Sequence, residues 1–486
     1  MSIASPSPDA SVARTEVASR PAPLRIGNGA GFWGDQIDAP VLLAQASELD
    51  ALTLEYLAEL TLGILGHLRH RDPSAGFVTD FPPLLRRLIA VDRSRPDRPT
   101  LRIVTNAGGL NPPSLARVSA QTLVDSQRGD DLVAVVTGDD VRDNLTAWRA
   151  NGLTLAHLET GEPMPDELLK RLAVANVYLG SEPIARAWSQ GAGLILTGRV
   201  ADASLTLGPA RAHFGWPADD WDRLAGASAA GHLIECGAQA TGGLWHAWDD
   251  PALDLWNVGY PIAELAEDGS AIITKPLGSG GLVTPANLAE QLVYEIDDPS
   301  AYVTPDVIAD FAATRLEVDP SGPDRVRVTG TRGAPAPTMF KLACVARDGW
   351  TSSGLLAYVG PRAAAKARHA GEIVRRRLQR ADALPQGFLV EVLGDLDIQP
   401  GVLSHPAGFE PWEVVVRITV RDPDRARVER FTREIAPLVL AGPPGVAGYA
   451  SGRPDVKPAF AYWPSLVPRD LVAPRLDLRP ARDWLA

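Results

Sequence analysis

Cysteine is nearly absent from this chain: Cys236 and Cys344 are its only two in 486 residues. They stand far apart and in unlike contexts, which argues against a disulfide framework and against a thiolate metal site. His67 and His70 lie three residues apart but lack the glutamate of a zincin helix, so we expect no bound metal there. So low a cysteine content fits a reducing compartment, and we expect a cytoplasmic protein.

Long apolar runs and an excess of positive charge are also lacking. No stretch approaches the ~18 continuous apolar residues of a membrane span. Residues 1–23 are rich in Ser, Ala and Pro without the apolar centre of a signal peptide, so we expect a disordered leader. With 47 Lys and Arg against 59 Asp and Glu, the net charge is −12. That balance disfavours nucleic acid and membranes as partners, although a local basic patch could still hold an anionic cofactor.

Two common catalytic signatures are missing. The G-x-S-x-G elbow of α/β-hydrolases does not occur. Gly29, Gly31 and Gly34 match the dinucleotide pattern G-x-G-x-x-G in form, but Trp33 is bulky and Asp35 stands where a pyrophosphate should sit. We therefore expect no nicotinamide or flavin cofactor. Asp35 is instead an acidic candidate for the site, with a helix cap in a tight turn as the alternative.

Glycine, by contrast, is concentrated in five loops of the first 281 residues. At least three of them directly follow a short apolar run that reads as a buried strand. Glycine lets the backbone approach a ligand closely, and open α/β sheets bind ligands at the carboxyl ends of their strands. The sequence thus predicts an enzyme whose site lies in these loops, which are GNGAGFWGD (27–35), NAGGLNP (106–112), TGRVADAS (197–204), CGAQATGG (236–243) and KPLGSGG (275–281).

Together with the helix segment EYLAELT (55–61), these loops resemble the acyclic terpene utilization (AtuA-like) family, in the family's own order. The resemblance covers about residues 25–300 and extends loosely to residues 452–469. It implies a role in degrading branched, isoprenoid-type acids as acyl-CoA thioesters. Family members often carry an additional C-terminal domain, for which this chain has no room. The resemblance therefore allows a separate small subunit in that place.

The order of elements predicts two domains. Short apolar runs alternate with helical stretches up to about residue 314, the pattern of a mostly parallel sheet covered by helices. Strand pairs alternating with helices over residues 315–445 predict a smaller α+β sandwich. Residues 446–486 are rich in Pro and Gly and predict a C-terminal arm along the surface. The fold class is therefore α/β with a smaller α+β domain.

Three charged residues are the candidates for acid–base chemistry and anchoring. Arg199 and Asp202 follow a predicted strand, so one loop presents a fork for carboxylate or phosphate beside a titratable carboxyl group. A structural ion pair is the alternative. Glu55 and Glu59 are four apart and are expected on one helical face, with Glu59 in the family-like motif. A solvated helix face explains both glutamates equally well.

The second loop offers polar groups for a carbonyl or carboxylate. Asn106 and Asn111 flank Gly108 and Gly109 just beyond an apolar strand. Asparagine amides and main-chain N–H groups can hold a carboxylate or polarise a thioester, as an oxyanion hole does. Stabilisation of the turn by asparagine is the alternative.

The last two loops offer a thiol and a phosphate cradle. Cys236, with Gln239 nearby, is a possible nucleophile at a helix start, although buried free cysteines are commonly inert. Lys275 precedes glycines that include Gly280, so this loop is a candidate for a CoA phosphate, although it lacks the G-K-[ST] ending of a P-loop. A flexible hairpin is the alternative.

These residues predict a catabolic enzyme that acts on a carboxylate or acyl-CoA by hydration, dehydration or carbon–carbon cleavage. No cofactor is expected beyond CoA as part of the substrate, and we expect a homo-oligomer. Two other classes stay open. The chain could be a non-catalytic subunit that binds an acyl-CoA or a partner enzyme, in which case few ionisable residues would converge in its cleft. A nicotinamide-dependent oxidoreductase is the third class.

Overall fold

The computed structural model describes residues 21–398, 400–402, 404–406, 408–447 and 452–486. Most of the predicted leader, residues 1–20, lies outside this part of the chain. The strands, in chain order, are β1 (Leu24–Asn28), β2 (Ala51–Leu54), β3 (Arg102–Thr105), β4 (Leu132–Thr137), β5 (Leu172–Val177), β6 (Leu194–Thr197), β7 (Ile262–Leu265), β8 (Ala271–Thr274), β9 (Tyr302–Val303), β10 (Ile308–Asp310), β11 (Arg315–Val318), β12 (Val326–Thr329), β13 (Arg332–Ala334), β14 (Met339–Val359), β15 (Gly387–Leu393), β16 (Glu413–Asp422), β17 (Val446–Ala447), β18 (Lys457–Pro468) and β19 (Arg475–Pro480).

The helices connect these strands and cover the sheets. They are α1 (Ala39–Ala46), α2 (Glu59–Arg71), α3 (Phe81–Arg93), α4 (Pro112–Asp125), α5 (Leu145–Ala150), α6 (Asp166–Lys170), α7 (Glu182–Ser189), α8 (Ser204–Phe214), α9 (Trp221–Glu235), α10 (Pro285–Leu292), α11 (Ala363–Arg380), α12 (Arg425–Thr432) and α13 (Leu438–Ala441), with 3₁₀ turns at Arg142–Asn144, Gly237–Thr241, Arg469–Leu471 and Ala481–Trp484. None of the described helices is long and apolar enough to cross a lipid bilayer.

The largest sheet has ten strands in the order β11-β12-β8-β7-β1-β2-β3-β6-β4-β19. Its centre, β1-β2-β3-β6-β4, is parallel. The flanking strands β7, β8, β12 and β11 on one side and β19 on the other pair antiparallel. The prediction of an α/β fold with a large sheet is confirmed, and its parallel part is limited to this centre.

The central strands are apolar on both faces because helices cover both faces. In β3, Ile103 packs with the side chains of α1, α3 and α4, whereas its neighbour Val104 packs with those of α7, α8 and α9. In β6, Leu194 and Leu196 face the first group and Ile195 faces the second. Neighbouring side chains of a strand point to opposite faces, so each short apolar run fills two cores at once.

A second, six-stranded sheet is built around β14, which is 21 residues long. Residues 350–359 of β14 pair with β16, and its earlier residues pair with β5 and β18. The sequence predicts β5 in the parallel sheet, and this is wrong: β5 runs antiparallel to β14. Its apolar pattern correctly predicts a buried strand, but such a pattern does not specify the partner strand.

Strand pairing crosses both predicted domain boundaries. The strands β11 and β12, predicted for the smaller domain, extend the ten-stranded sheet beyond β8. The predicted C-terminal arm contributes β18 to the sheet around β14 and β19 to the edge of the large sheet. Helices α11 and α12 cover β15 and β16, which together form the α+β layer.

The predicted helix around Glu55 needs one correction. The segment EYLAELT (55–61) is predicted as one helix, but Leu54 ends β2 and α2 begins only at Glu59. The four residues of β2 are all buried, because β2 lies between β1 and β3 inside the sheet. Glu55 and Glu59 therefore do not share a helical face.

Candidate active site

A cavity of about 900 Å³ opens at the carboxyl ends of the central parallel strands. The loops after β1, β2 and β6 form one side of it, and the start of β14 forms the other. Ligands of open α/β sheets bind at this position. Of the sequence-predicted site residues, the cavity brings together six, namely Asp35, Glu59, Arg199, Asp202, Cys236 and Gln239.

Arg199 is the buried centre of the polar side. Its side chain is 3% exposed, its Nη1 lies 2.9 Å from Asp202 Oδ1 and 3.5 Å from Glu55 Oε1, and Nη1 also donates to the Leu57 carbonyl at 2.5 Å. The guanidinium lies over the Tyr178 ring, 4.1 Å from its centroid. The guanidinium therefore links the loop after β2, the loop after β6 and Tyr178, although its Nε has no hydrogen-bond partner among the described residues.

Glu59 forms a separate ion cluster on the first turn of α2. Its Oε1 accepts from the Tyr178 hydroxyl at 2.6 Å and from Tyr462 at 3.2 Å, and it lies 3.5 Å from Lys341 Nζ. Burial opposes ionisation of this carboxyl group, but the Tyr178 hydrogen bond and the positive charges of Arg199 and Lys341 lower its pKa to about 2. Glu59 is therefore an ionised anchor throughout the physiological pH range.

The pKa of Asp202 is shifted in the opposite direction to that of Glu59. Burial raises its pKa, and the nearby Arg199 only partly offsets this effect. The pKa of Glu55 is raised well above its ordinary value by burial and by the charge of Asp202. Two carboxyl groups that share one buried arginine retain a proton to higher pH than isolated ones. Asp202, whose side chain is 31% exposed, is the member of this pair that faces the cavity most openly.

His232 and Glu235 form a second titratable pair on the last turn of α9. His232 Nδ1 lies 2.8 Å from Glu235 Oε1, and Nε2 lies 3.2 Å from the Gln291 carbonyl. A carbonyl oxygen can only accept a hydrogen bond, so His232 Nε2 carries a proton. The hydrogen bond between Nδ1 and Glu235 needs a second proton, which lies on one of these two groups. Burial raises the pKa of Glu235 to about 7. Glu235 Oε2 is buried without a hydrogen-bond partner among the described residues.

Cys236 lies beside this pair, after the end of α9 and directly before the short 3₁₀ turn Gly237–Thr241, so it does precede a helical turn as the sequence predicts. It directly follows Glu235 at the end of α9, where the helix dipole is negative. Burial, and then the charge of Glu235, raises the pKa of the thiol above its ordinary value. A nucleophilic thiolate needs a lowered pKa, so this position favours an inert thiol.

The variant Cys236→Ser is therefore expected to fold and to keep substantial turnover, because a hydroxyl replaces a thiol that stays protonated. Steady-state kinetics and intact-protein mass spectrometry check this. A loss of more than about 10³-fold, together with an acyl adduct on the wild-type thiol, would instead establish covalent catalysis.

The asparagines of the second loop do not line the cavity. Asn106 is fully buried: its Oδ1 accepts from the Tyr56 backbone N–H at 2.9 Å and its Nδ2 donates to Glu55 Oε2 at 2.5 Å. Asn111 caps α4 by accepting from the Ser114 N–H at 3.3 Å. The predicted oxyanion hole is thus not formed by these side chains; Asn106 orients Glu55 from behind.

The two glycines between the asparagines serve packing. A Cβ on Gly108 would lie 2.5 Å from the Thr197 carbonyl oxygen. Gly109 has φ +54°, and its Cβ would lie 2.5 Å from Leu65 Cδ1. Both positions require glycine because neighbouring chain segments pass too close for a side chain.

The lysine loop also lies away from the cavity. Lys275 is buried, its Nζ donates to the Ser279 carbonyl at 2.7 Å and lies 3.1 Å from Asp324 Oδ2. The N–H of Gly280 donates to the Asn257 carbonyl at 2.8 Å. The predicted phosphate cradle is therefore not favoured, since the ammonium group has its partners within the protein. The hairpin alternative agrees with these contacts.

Asp35 lines the cavity and also closes its own loop. Its Oδ2 accepts from the Gly31 N–H at 2.8 Å, its Oδ1 accepts from the Gln36 N–H at 2.7 Å, and the Tyr260 hydroxyl donates to it as well. It does not cap α1, whose first turn is preceded by Asp38. The tight-turn interpretation of Asp35 agrees with these contacts.

Sequence reasoning missed several residues that line the cavity. Tyr178 follows β5 and Lys341 lies on β14, so they reach the cavity only through the pairing of these two strands. His232 and Glu235 stand just before the CGAQATGG loop, and their spacing of three on a helix could have indicated a pair. Glu55 stands in the same EYLAELT segment, but only Glu59 is predicted as a site residue.

The residues of the cavity offer proton donors and acceptors, one exposed ammonium group and an apolar wall. In the described part of the chain, no group of three or more His, Cys, Asp and Glu side chains is arranged to hold a metal ion. Comparisons with curated proteins and with solved structures each found no match. Residues 24–478 match the family described as acyclic terpene utilisation family protein AtuA. Since this match covers nearly the whole chain, the protein belongs to the acyclic terpene utilisation (AtuA) family.

Proposed function

We propose that this protein is an enzyme that binds the acyl part of a branched carboxylate or CoA thioester in the cavity and transfers protons to and from it. The observation that carries the proposal is that carboxyl groups lining one cavity have pKa values shifted in opposite directions. Glu59 is held ionised with a pKa of about 2. Burial instead raises the pKa of Asp202 above its ordinary value and raises the pKa of Glu235 to about 7. Carboxyl groups whose environments shift their pKa values in opposite directions are typical of acid–base catalysis.

The proposal assigns different roles to these groups. Asp202 and Glu235 transfer protons, because a raised pKa lies closer to the working pH and makes exchange efficient. Glu59 is too weak a base for this task, so it holds Lys341 and Tyr178 in place. Hydration or dehydration needs one group that removes a proton and another that delivers one, and the two raised carboxyl groups supply both.

The apolar wall supports a branched substrate. Beside the carboxyl groups, the cavity is lined by large apolar side chains that an alkyl chain would cover, which are Phe32, Leu244, Val303, Met339, Phe340 and Leu466. Lys341, held by Glu59, is 43% exposed at the same cavity and presents its ammonium group to a substrate carboxylate or thioester carbonyl. The family name points to substrates of the same branched kind. Two free cysteines agree with a cytoplasmic setting.

The alternative of a non-catalytic binding subunit is less well supported. Such a protein would bring few ionisable residues together, whereas Asp202, Glu59, Glu235, His232 and Lys341 all line this cavity. Burying titratable groups costs free energy, which a binding role for an apolar acyl chain does not require.

The decisive experiment is to incubate the pure protein with branched and linear acyl-CoA thioesters and the free acids, and to follow their masses. A gain or loss of the mass of water, or cleavage of the chain, in wild-type protein but not in Asp202→Asn would support the proposal. If a ligand binds without any change of mass, and its affinity falls when residues lining the cavity are replaced, the binding subunit would be supported instead.

The pKa of Glu235 predicts a pH dependence. We expect kcat to fall as pH rises through about 7, because Glu235 loses the proton that it delivers. Glu235→Gln keeps the shape of the side chain but does not titrate, so its remaining rate should lack this limb. A wild-type rate that is flat across this range would remove Glu235 from the proton path.

Stability gives an independent readout of the same group. The pKa of Glu235 in the folded protein lies above its ordinary value of 4.5, so the folded state binds this proton more tightly than the unfolded state does. The contribution of Glu235 to the free energy of unfolding is therefore fully present below pH 4.5 and is lost as pH rises through about 7. His232, whose pKa is also raised, acts in the same direction. The melting temperature of wild type relative to Glu235→Gln should therefore decrease over this window.

A further inference from the structure

A second cavity, of about 560 Å³, lies at the other end of α2 from Glu59. Glu59 begins this helix and Arg69 is in its last turn, about 15 Å away along the helix axis. The lining is dominated by cationic side chains from several segments, and it consists of Gly66, Arg69, His70, Pro73, Arg142, Lys170, Arg171, Leu172, Ala173 and Arg347.

The charge of this pocket is unusual for this protein. Five of its lining residues are Lys or Arg, and none of the described residues that line it is Asp or Glu. The whole chain, by contrast, carries a net charge of −12. Positive charges gathered in a concave site create a local potential that attracts anions despite the negative total.

Nearby carboxylates do not remove this potential. Four of the five cations have a carboxylate partner. The pairs are Arg69–Asp140 at 3.1 Å, Lys170–Glu167 at 2.7 Å, Arg171–Asp348 at 2.9 Å and Arg142–Asp143 at 3.5 Å. Both partners of each pair are about one-third exposed or more. Ion pairs of this kind contribute little, so a multivalent anion can compete with them.

Arg347 has no ion pair among the described residues, although its side chain lines the pocket. The local field is also felt by His67, whose pKa is lowered by burial and then by the charges of Arg347 and Arg71. Arg347 is therefore the cation that is most available to a ligand.

Helix geometry explains only part of the cluster. Cations at the end of α2 stabilise the helix dipole, which accounts for Arg69 and His70. It does not account for Arg142, which lies in the turn after β4, for Arg171, which lies between α6 and β5, or for Arg347, which lies on β14. Their convergence on one pocket points to a ligand.

We propose that this pocket binds a small anion that carries phosphate groups. Guanidinium groups match phosphate oxygens in a planar fork, and several of them favour a multiply charged phosphate over a single carboxylate. A cavity of this size can hold a nucleotide-sized ligand. The phosphate could belong to the nucleotide part of a CoA substrate or to a free phosphate ester. This pocket is separate from the catalytic cavity, and the binding of phosphate in it does not require the proposed reaction to occur.

Calorimetric titration of the full chain with inorganic pyrophosphate tests the proposal at low and high salt. We expect binding that weakens with salt and becomes about 10- to 100-fold weaker in Arg347→Gln, since one charge-assisted contact is lost. Arg347→Lys should weaken binding less, because it keeps the charge. Arg332→Gln removes an exposed arginine on β13, outside the pocket, and should bind as wild type does.

Competition identifies the source of the phosphate. Displacement of pyrophosphate by CoA, with weaker CoA binding in Arg347→Gln, would assign the pocket to the nucleotide of a CoA substrate. Pyrophosphate binding that CoA does not displace would assign it to a free phosphate ester. Absence of pyrophosphate binding to wild type at low salt, or unchanged affinity in a folded Arg347→Gln, would overturn the proposal. Melting curves of each variant verify the fold.

Discussion

Asp202→Asn is expected to lower kcat by about 10² to 10⁴-fold, the usual contribution of a general acid or base. The amide keeps the shape of the side chain and its contact with Arg199 but cannot exchange a proton. Because the substitution leaves the cavity in place, KM should change little. Steady-state kinetics with a substrate found by the mass-spectrometric panel measures both constants.

A matched control is Asp222→Asn. Asp222 is also an aspartate in an ion pair with an arginine, Arg332 at 3.3 Å, but it does not line the cavity. Its replacement should leave kcat unchanged. Should Asp202→Asn retain full turnover while melting far below wild type, the Arg199–Asp202 pair would be a structural bridge and its catalytic role would fail.

Arg199→Met should destabilise the fold by about 3–5 kcal/mol, which is the typical result of leaving a buried charge without its partner. The sequence predicts that Arg199 anchors the substrate and that its loss chiefly raises KM. The structure favours stability instead, since Arg199 is 3% exposed and already contacts Glu55, Asp202 and the Leu57 carbonyl. Denaturant unfolding measures the change in the free energy of unfolding.

Two further variants separate this effect from a general effect of losing an arginine. The double variant Arg199→Met/Glu55→Gln removes the arginine together with the more buried of its two carboxyl partners and should recover part of the lost stability, which a double-mutant cycle quantifies. Arg332→Met removes a 72% exposed arginine and should change stability by less than about 0.5 kcal/mol. If Arg199→Met is as stable as wild type but has a raised KM, Arg199 would be a substrate anchor after all.

The sequence predicts the family, the α/β class and the side of the sheet that carries the site. Asp35, Arg199 and Asp202 are predicted because each lies just after a short apolar strand or in a glycine loop next to one, whereas Glu59 is predicted only by its place in the family-like motif. In a parallel sheet, such loops meet at one edge whatever the details of packing. The local sequence pattern and this general rule of topology are therefore sufficient to predict the fold class and the edge of the sheet where the cavity lies.

The sequence does not predict which of these residues face the cavity. Lys275 and Asn106 occupy equally suggestive loops, but the first is bound to Asp324 and Ser279 and the second is buried against Glu55. Whether a side chain reaches a ligand depends on its neighbours in space, and these come from distant parts of the chain.

Only the tertiary structure decides the protonation of the site. The pairing of β5 with β14 brings Tyr178 and Lys341 to Glu59 and lowers its pKa, while burial raises the pKa of Asp202 and of Glu235. The residue types and their order along the chain are compatible with either outcome. Desolvation and Coulomb interactions depend on burial and on distances of a few ångströms, which long-range contacts set and sequence spacing does not.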